Sequence, residues 1–407
     1  MTLRDTLLGL ILFPILLLVS LEANSDKQGL AYLNKIREHT GLIAFKSNKA
    51  LKKAAASHAK YLVQNQISGH YEKIGKYSYT GRTPSKRVIK AGYPSHFVME
   101  NLSVNTTGAD KSIDKLFSAI YHRFVFLNLD KDEIGIGSYF TKKKRRIKSA
   151  YVYNLGLSGI SHLCQRSFKM TNGEYYMKNI CRQNDKMIPR SRFREEKEYI
   201  RRKNKDIIVY PYANQKHIWP AFYNESPDPL PKYKVSGFPI SVQFNPANFK
   251  NVKLKSFRLY DEKGKELKKT RILQHKNDHN HLFTKLEFAL MPLARLEFGR
   301  TYTAVFEAVA DGRKVKKRWY FRTEDPKERV YRITQNKTTL KVRSGSSAIL
   351  YIVPRSRKDI LRGSKSRGGI KVSFLDQNTL KVIFPKRRSS GRVSLDFGKR
   401  KVYFTIE

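Results

Sequence analysis

The sequence predicts an α+β protein in which a mixed helix-and-strand domain is followed by β-rich domains. The chain has 407 residues, and at roughly 100–200 residues per domain this length indicates two or three folded domains. Apolar residues recur at helical spacing near the N-terminus, as at Leu51, Ala55, Ala59 and Leu62. From Ile207 onwards, apolar and polar residues alternate as they do in strands. Helices in the first part and strands in the rest give the fold class.

Shifts in composition and pattern divide the chain into five predicted segments. They are a signal peptide at 1–25, a mixed domain at 26–160, a basic connector with a disulfide at 161–205, a β-sandwich at 206–326 and a small β-domain at 327–407. In the connector the hydrophobic periodicity is weak, with one helix expected near Glu195–Arg202. In the two β-domains, short strands separated by turn residues favour sandwich architecture.

The elements of the mixed domain follow from periodicity and capping residues. We expect two amphipathic helices over residues 29–66, with Ser47 or Asn48 capping the second. A short helix is predicted at Lys86–Lys90 after Thr83, and a longer one at Asp110–Tyr121. Two strands are then predicted, at Ile134–Phe140 and Ala150–Gly156.

The β-domains are predicted from alternation alone. The expected strands are Ile240–Phe244, Tyr302–Phe306, Arg318–Arg322, Thr339–Val342, Ile349–Val353, Leu380–Phe384 and Lys401–Ile406. Within the third of these, Trp319 and Phe321 are two residues apart and are expected on the same inward face. A domain of this type more often presents a surface than performs chemistry.

The N-terminal residues indicate export. Arg4 is followed by an apolar run of about 13 residues, which is short for a membrane span and typical of a signal peptide. Ala23 and Ser25 fit the small residues of a cleavage site. An uncleaved membrane anchor is the alternative. We expect a secreted, periplasmic or envelope protein with no transmembrane span in the mature chain, and export makes intracellular nucleic acid an improbable partner.

The two cysteines are predicted to pair. In an exported protein, Cys164 and Cys181 can close a loop of about 17 residues, worth roughly 3 kcal/mol in the chain-entropy model. A free pair or half of a metal site are the alternatives.

Three polar residues stand out in the mixed domain, namely His70, Glu100 and His122. Two imidazoles and a carboxylate are suitable ligands for Zn²⁺ or a similar divalent cation. Their separation in the sequence leaves open a second interpretation, in which they are three unrelated polar side chains.

The motifs around these residues resemble the CAP superfamily (cysteine-rich secretory, antigen 5 and pathogenesis-related proteins) in its bacterial SCP-like form. The resemblance covers residues 29 to about 157 and is carried by Ser68-Gly69-His70, Arg82-Thr83-Pro84, Ala91-Gly92-Tyr93, Glu100-Asn101-Leu102, Tyr121-His122-Arg123 and Ile134-Gly135-Ile136-Gly137. It implies an α-β-α sandwich with a central cleft that often binds a divalent cation. His70, Glu100 and His122 match the cleft residues. The family's second glutamate is missing, because Phe117–Ile120 stands in its place.

The β-domains resemble bacterial Ig-like modules fused to exported CAP domains. The similar segments are Glu225–Pro231, Gly237–Ile240, Phe288–Leu293 and Trp319–Thr323. The resemblance implies an Ig-like β-sandwich followed by the small C-terminal β-domain.

The charge is extreme. Lys and Arg total 81 against 34 Asp and Glu, which gives a net charge of +47. A field of this size attracts polyanions. The densest candidates for polyanion binding are Lys142, Lys143, Lys144, Arg145, Arg146, Arg201, Arg202, Lys386, Arg387 and Arg388. An anionic envelope polymer or lipid headgroups are the expected partners; merely solvated basic faces, or nucleic acid outside the cell, are the alternatives.

These observations favour a binding protein over an enzyme. We expect an exported CAP-domain protein that binds a small ligand or a divalent cation such as Zn²⁺ in its cleft, and an anionic polymer through basic β-modules. The alternative is a metal-dependent hydrolase in which His70 and His122 hold a metal-activated water and Glu100 is base or ligand. A polyanion-binding adhesin with a vestigial cleft is a third interpretation.

Overall fold

The computed structural model describes residues 26–223, 225–386 and 393–407. The predicted signal peptide at 1–25, and Arg387 and Arg388 of the last basic cluster, lie outside the described residues. Within those ranges, every helix is too short or too polar to traverse a bilayer.

The chain divides into two compact units. The first contains the described residues up to Tyr210, together with Val242–Val252 and Lys285–Glu287. The second contains Pro211–Ser241, Lys253–Thr284 and Phe288–Glu407, and its sheets are called the β-modules below. The α+β class is confirmed, because the helices among the described residues lie in the first unit and strands dominate the second.

The first unit is built on a four-stranded sheet with the order β1-β3-β4-β2. The strands are β1 (Lys46–Ser47), β2 (Met99–Val104), β3 (Glu133–Phe140) and β4 (Ser149–Gly156). β3 and β4 form an antiparallel pair, β2 pairs antiparallel with β4, and the short β1 runs parallel to β3. β4 is buried along its whole length. The two strands predicted from alternation are therefore confirmed, each with one further residue at its start.

Seven helices of the described chain surround or follow this sheet. They are α1 (residues 26–40), α2 (Lys49–Asn65), α3 (Pro84–Lys90), α4 (Ala109–Ser118), α5 (Ile120–Phe126), α6 (Ser158–Leu163) and α7 (Arg190–Arg202). Asn48 caps α2, because its side chain accepts from the backbone N–H groups of Ala50 and Leu51. Thr83 caps α3, which starts with a proline at its first position.

The single helix predicted at Asp110–Tyr121 is instead two helices. Ala119 has an extended backbone and separates α4 from α5. The break is stabilised by Arg123, whose Nε donates to the carbonyl of Phe117 at 2.7 Å and so satisfies a group at the end of α4. Periodicity continues across the break, which is why the sequence alone does not reveal it.

Helices cover both faces of the sheet. Gly135 and Gly137 of β3 lie against α2, where an added Cβ would come within 2.0–2.1 Å of the helix backbone. Ile136 points to the opposite face, because side chains alternate along a strand, and it lies there near Gly29 of α1. Gly29 in turn adjoins Ala109 of α4. The two glycines of the motif therefore let α2 approach closely, and the result is an α-β-α sandwich.

The segment predicted as a connector has a core of its own. Leu157, Ile160, Leu163, Ile188, Phe193 and Ile200 are buried together with the two cysteines. The disulfide Cys164–Cys181 is present, as predicted. Two short strands form an antiparallel pair: β5 (Tyr176–Met177), inside the loop that the disulfide closes, and β6 (Ile188–Pro189), just before α7. Residues 161–205 are thus a folded part of the first unit.

Lys131 is a buried cation in the first unit. Its Nζ donates to the carbonyl of Phe97 at 2.6 Å and lies 3.3 Å from the centre of the Phe97 ring. Burial lowers the pKa of Lys131 to about 7, although the neighbouring charges of Asp130 and Asp132 act in the opposite direction.

The low pKa of Lys131 predicts a pH-dependent stability. Between pH 7 and about 10 the unfolded chain binds a proton at Lys131 that the folded chain does not, so the free energy of unfolding should rise with pH, by about 1 kcal/mol per pH unit. Chemical denaturation of the wild type and of Lys131→Met at pH 7–9.5 measures this. We expect the wild type minus variant difference to rise with pH, and a difference independent of pH would contradict the assignment.

The strands of the second unit form sheets of mostly antiparallel pairs. The remaining strands of the chain are β7 (Ile207–Tyr210), β8 (Gln215–Ile218), β9 (Ala221–Phe222), β10 (Ser236–Gly237), β11 (Ile240–Phe244), β12 (Val252–Tyr260), β13 (Thr270–Gln274), β14 (Glu287–Pro292), β15 (Thr301–Ala310), β16 (Arg313–Thr323), β17 (Arg329–Ile333), β18 (Lys337–Val342), β19 (Ser347–Ile352), β20 (Lys365–Arg367), β21 (Lys371–Asp376), β22 (Thr379–Ile383), β23 (Val393–Asp396) and β24 (Lys401–Ile406). Near the C-terminus, two four-stranded sheets have the orders β17-β19-β22-β21 and β18-β24-β23-β20, with a shared apolar core.

The longest hairpin of the second unit is formed by β15 and β16. Trp319 and Phe321 are both buried, which confirms their predicted inward face. The indole N–H of Trp319 donates to the carbonyl of Pro211 at 2.9 Å. Every second residue of β15 is buried, so one side of this hairpin packs on the core and the other faces outward.

Candidate functional site

The elements of the CAP-like sandwich bring five ionisable side chains to one place. Glu100 lies on β2, Arg87 on α3 and His58 on α2. Glu72 and His70 come from the loop between α2 and α3. All except His70 are almost completely buried, whereas the side chain of His70 is 38% exposed. We call these five residues the ionic cluster.

Glu100 is held on several sides. Nη2 of Arg87 donates to both carboxylate oxygens, at 2.8 and 2.7 Å, and His70 Nδ1 lies 3.0 Å from Oε1. Asn154 stands opposite Glu100 in the β2–β4 register. With its amide oriented so that Nδ2 faces Glu100, Asn154 donates to Oε2 at 3.0 Å. These donors satisfy both oxygens of the buried carboxylate.

Glu72 anchors the loop that precedes α3. Its carboxylate accepts from the backbone N–H groups of Thr80 and Gly81, at 2.6 and 3.1 Å, and from the hydroxyl of Thr80. His58 Nδ1 lies 2.8 Å from Oε1 of Glu72. Arg87 Nε is 3.8 Å from the same oxygen, an ion-pair distance without a hydrogen bond.

His58 joins the two carboxylates. Its Nδ1 faces Glu72, and its Nε2 faces the carbonyl of Gly69 at 3.1 Å and Oε1 of Glu100 at 3.8 Å. Both ring nitrogens therefore face oxygen atoms of neighbouring groups. Arg87 and His58 lie between the two buried carboxylates, and buried carboxylates are tolerated when they are paired and hydrogen-bonded.

The cluster keeps both carboxyls ionised. Burial alone would raise the pKa of Glu100, but the hydrogen bond from His70 and the charges of His58 and Arg87 outweigh it and hold the pKa below its usual value. Burial opposes ionisation of Glu72 as well, and its hydrogen bonds from His58, Thr80 and Gly81 lower its pKa in the same way.

His70 is the member of the cluster that reaches solvent. Among the described residues, its Nε2 has no hydrogen-bond partner, whereas its Nδ1 is held by Glu100. In the tautomer that carries its proton on Nδ1, Nε2 is an acceptor. Arg87 Nη1 also donates to the backbone carbonyl of His70 at 3.0 Å, which fixes the loop beneath the ring. The site therefore offers one oriented imidazole nitrogen to a ligand.

The structure places the predicted trio on three different elements. His70 and Glu100 are hydrogen-bonded, whereas His122 lies on α5, where Asn101 of β2 donates to its backbone carbonyl at 2.8 Å. Within the described ranges, no three His, Cys, Asp or Glu side chains are grouped so that they could hold a metal ion.

The donor set around Glu100 does not fit a divalent cation. The guanidinium of Arg87 already contacts both oxygens of the carboxylate, and a second cation would have to displace it or bear its repulsion. The Zn²⁺ site expected at His70, Glu100 and His122 stays a prediction, and the pairing of Arg87 with Glu100 opposes it. That pairing is not visible in the sequence.

Two of the residues that the sequence analysis missed, His58 and Arg87, have a partial signal in the sequence. His58 occupies a position on the apolar face of α2, between Ala55 and Leu62, where a polar residue must find buried partners. Arg87 lies between two of the segments that carry the family resemblance, Arg82-Thr83-Pro84 and Ala91-Gly92-Tyr93. No pattern points to Glu72, because the loop that carries it is irregular.

The predicted basic residues lie in different surroundings. Lys142, Lys143, Lys144, Arg145 and Arg146 are exposed in the β3–β4 loop, and Lys386 is exposed in the second unit. Arg201 forms a bidentate pair with Asp130, and Arg202 pairs with Glu198 at 71% exposure. Arg201 is thus a structural residue of the first unit as well as a basic one.

Comparison with known proteins finds a family match for part of the first unit. Residues 30–154 match the model of the cysteine-rich secretory protein family, CAP. An extracellular protein containing an SCP domain from Bacillus anthracis str. Ames shares 20% identity over 33% of this chain and 40% of its own, with a TM-score of 0.28. An outer surface protein from Borrelia burgdorferi shares 21% identity over 33% of this chain and 92% of its own, also with a TM-score of 0.28.

The chain spans less than half the length of the Bacillus protein. A search of curated proteins finds no match to this chain. The family match contains every residue of the ionic cluster, from His58 to Glu100, and the four strands of the sheet except the end of β4. The N-terminal part of this chain is a CAP domain of the cysteine-rich secretory protein family.

Proposed function

We propose that this protein acts outside the cytoplasm as a non-enzymatic CAP-domain protein that binds an anionic envelope or extracellular polymer through its β-modules. The observation that carries the proposal is a strand of concentrated positive charge, β16. Six of its 11 residues are Lys or Arg, and none is Asp or Glu. The net charge of +47 provides the long-range attraction.

The outward side of β16 is organised as a stripe. Lys314, Lys316, Arg318 and Tyr320 are exposed and alternate with residues that include the buried Trp319. Side chains on one face of a strand recur about every 6.8 Å. Facing them on β15, Glu307 pairs with Lys316. We call Lys314, Lys316, Arg318 and Tyr320 the β16 stripe.

A linear polyanion suits this arrangement. Evenly spaced cations on a rigid strand can meet successive anionic groups of an extended chain, and they release its counterions as they do so. The exposed ring of Tyr320 adds an aromatic face beside Arg318. The predicted signal peptide at residues 1–25 supports exposure to polymers of this kind outside the cytoplasm.

The CAP cleft supports small-ligand binding through the oriented Nε2 of His70. A group that donates a hydrogen bond suits an imidazole held on a buried carboxylate. The hydrolase alternative needs a metal site that the pairing of Arg87 with Glu100 opposes. We therefore do not advance it as the function.

Charge-neutralising variants test the polymer proposal. The triple variant Lys314→Ser, Lys316→Ser, Arg318→Ser should bind polyphosphate or polygalacturonate at least about tenfold more weakly than the wild type, because three adjacent ionic contacts are lost. The matched control removes three exposed lysines of the same unit, Lys263→Ser, Lys265→Ser and Lys269→Ser.

The two triple variants carry the same net charge, so only position distinguishes them. We expect the control to weaken binding much less than the β16 triple variant. Equal losses for the two variants would show that net charge alone is responsible and would reject β16 as the binding strand. Fluorescence anisotropy with labelled polymer at fixed ionic strength is a suitable measurement.

A further inference from the structure

The CAP domain has an exposed surface that is partly apolar, unlike the basic β16 stripe. Three large side chains in the loop between α2 and α3 stand out in solvent, with exposures of 66% for Tyr71, 82% for Ile74 and 65% for Tyr77. Lys73 and Lys76 lie between them and are also exposed. Single exposed apolar residues are common on protein surfaces. Three large exposed side chains within seven residues form a patch, and such a patch indicates an interaction site.

This loop is held firmly although its side chains are exposed. The hydroxyl of Tyr61 accepts from the backbone N–H of Lys73 at 2.9 Å, and Asn65 Nδ2 donates to the carbonyl of Tyr77 at 2.8 Å. Between these points, Glu72 is buried in the ionic cluster. Hydrogen bonds on both sides of Ile74 therefore hold the loop backbone in the conformation that exposes this side chain.

A basic loop lies beside it. Ser78 Oγ, from the exposed loop, donates to the side chain of Gln64 at 2.8 Å. From the β3–β4 loop, Arg145 Nη1 donates to the carbonyl of Gln64 at 2.9 Å, and Arg146 Nη2 donates to the carbonyl of Gln66 at 2.5 Å. Both loops are thus fastened to the last turn of α2 and emerge at the same end of the domain.

We call the two loops together, residues 70–79 and 141–148, the docking face. It combines an apolar tip, two tyrosines, and a basic run that includes Lys142, Lys143 and Lys144. Tyrosine side chains favour the boundary between lipid headgroups and acyl chains. The apolar part of a lysine side chain can lie along apolar surface while its ammonium group contacts a lipid phosphate. Apolar insertion together with basic residues is the combination by which proteins rest on anionic bilayers.

We propose that the docking face binds the surface of a bilayer that contains anionic lipids, with Ile74 entering the interface and the basic loop contacting the headgroups. A hydrophilic polymer would make use of the lysines but would leave Ile74 in water, so the position of Ile74 favours a lipid surface over a polymer. The proposal is independent of polymer binding by the β16 stripe, which belongs to the other unit.

The test is co-sedimentation with vesicles of phosphatidylcholine alone and with about one third phosphatidylglycerol. All proteins lack residues 1–25, so that the predicted signal peptide cannot itself insert. We expect binding to the anionic vesicles only, and a loss of at least about tenfold for Ile74→Asp, because an apolar contact becomes a repelled carboxylate. The matched control is Leu282→Asp, since Leu282 is 49% exposed in the second unit. It should bind as the wild type does.

One further variant, a soluble competitor and a polyphosphate-binding measurement distinguish the possible outcomes. Lys142→Ser, Lys143→Ser, Lys144→Ser should weaken vesicle binding, and soluble glycerol phosphate should not compete for it. Polyphosphate binding should be unchanged in Ile74→Asp, so failure of this proposal and failure of the polymer proposal are distinguishable. Equal vesicle binding by Ile74→Asp and the wild type, or an equal loss in Leu282→Asp, would overturn the proposal. Thermal unfolding of Ile74→Asp should match the wild type, because the side chain is exposed.

Discussion

Glu100→Ala should lower the free energy of unfolding of the CAP domain by about 3–5 kcal/mol. Removal of this carboxylate leaves the guanidinium of Arg87 buried without its main counter-ion, since Arg87 is only 1% exposed. His70 and Asn154 lose their acceptor in the same step. A penalty of this size arises from the uncompensated charge that remains, more than from the lost attraction.

A double replacement separates these two causes. Arg87→Met with Glu100→Leu removes both charges and fills much of the volume, so it should cost less than Glu100→Ala alone. Glu195→Ala is the control, because the Glu195 pair with Arg192 is exposed on α7 and should change stability by less than about 1 kcal/mol. Urea denaturation of all three variants and the wild type provides the comparison. If Glu100→Ala were no more costly than Glu195→Ala, the buried cluster would not exist as described.

The same cluster predicts a loss of stability in acid. The pKa values of Glu72 and Glu100 lie below their usual values in the folded state, so the unfolded chain binds protons there before the folded chain does. The stability that they contribute is present above the unfolded pKa and is lost as pH falls through the folded pKa. Glu100→Ala should therefore flatten the acid side of the stability profile.

The disulfide is the second large contribution. Cys164→Ser with Cys181→Ser should lower the free energy of unfolding by about 3 kcal/mol, because the bridge joins residues 17 apart and restricts the unfolded chain. The effect should be strongest for the segment 161–205, whose core surrounds both cysteines. This segment includes few long helices or strands that could hold it otherwise.

Denaturation of the oxidised wild type, the reduced wild type and the double serine variant measures the effect. The reduced wild type and the variant should unfold together, both at lower denaturant than the oxidised protein. Identical midpoints for the oxidised and reduced wild type would contradict a stabilising role for the bridge.

The sequence predicts the CAP domain well because its motifs contain residues, such as glycines, that the close packing of the backbone requires. Gly135 and Gly137 must be small where α2 approaches, and the predicted extent of residues 29 to about 157 agrees with the family match at 30–154. The pairing of Cys164 with Cys181 follows from the expectation of export together with the presence of two cysteines. The sequence predicts strand β16 only over Arg318–Arg322, because its first half contains a single apolar residue, Val315, among lysines and arginines and has the composition of a solvated turn.

The candidate site was less predictable. His70 and Glu100 were identified through motifs, and they do meet. Their partners depend on side-chain contacts between elements that are distant in sequence, and no local pattern encodes that Arg87 should pair with Glu100. Because a paired guanidinium opposes the binding of a metal ion by the same carboxylate, the sequence alone could not reveal this obstacle to the metal prediction.

The salt dependence of polymer binding tests the central claim of the account most directly. The affinity of the chain without residues 1–25 for polyphosphate should be measured by anisotropy between about 50 and 200 mM salt. We predict that the logarithm of the binding constant falls linearly and steeply with the logarithm of the salt concentration, and that the β16 triple variant gives a shallower slope. Binding that is absent at low salt, or that is unchanged across this range, would contradict an anionic polymer as the partner of the β-modules.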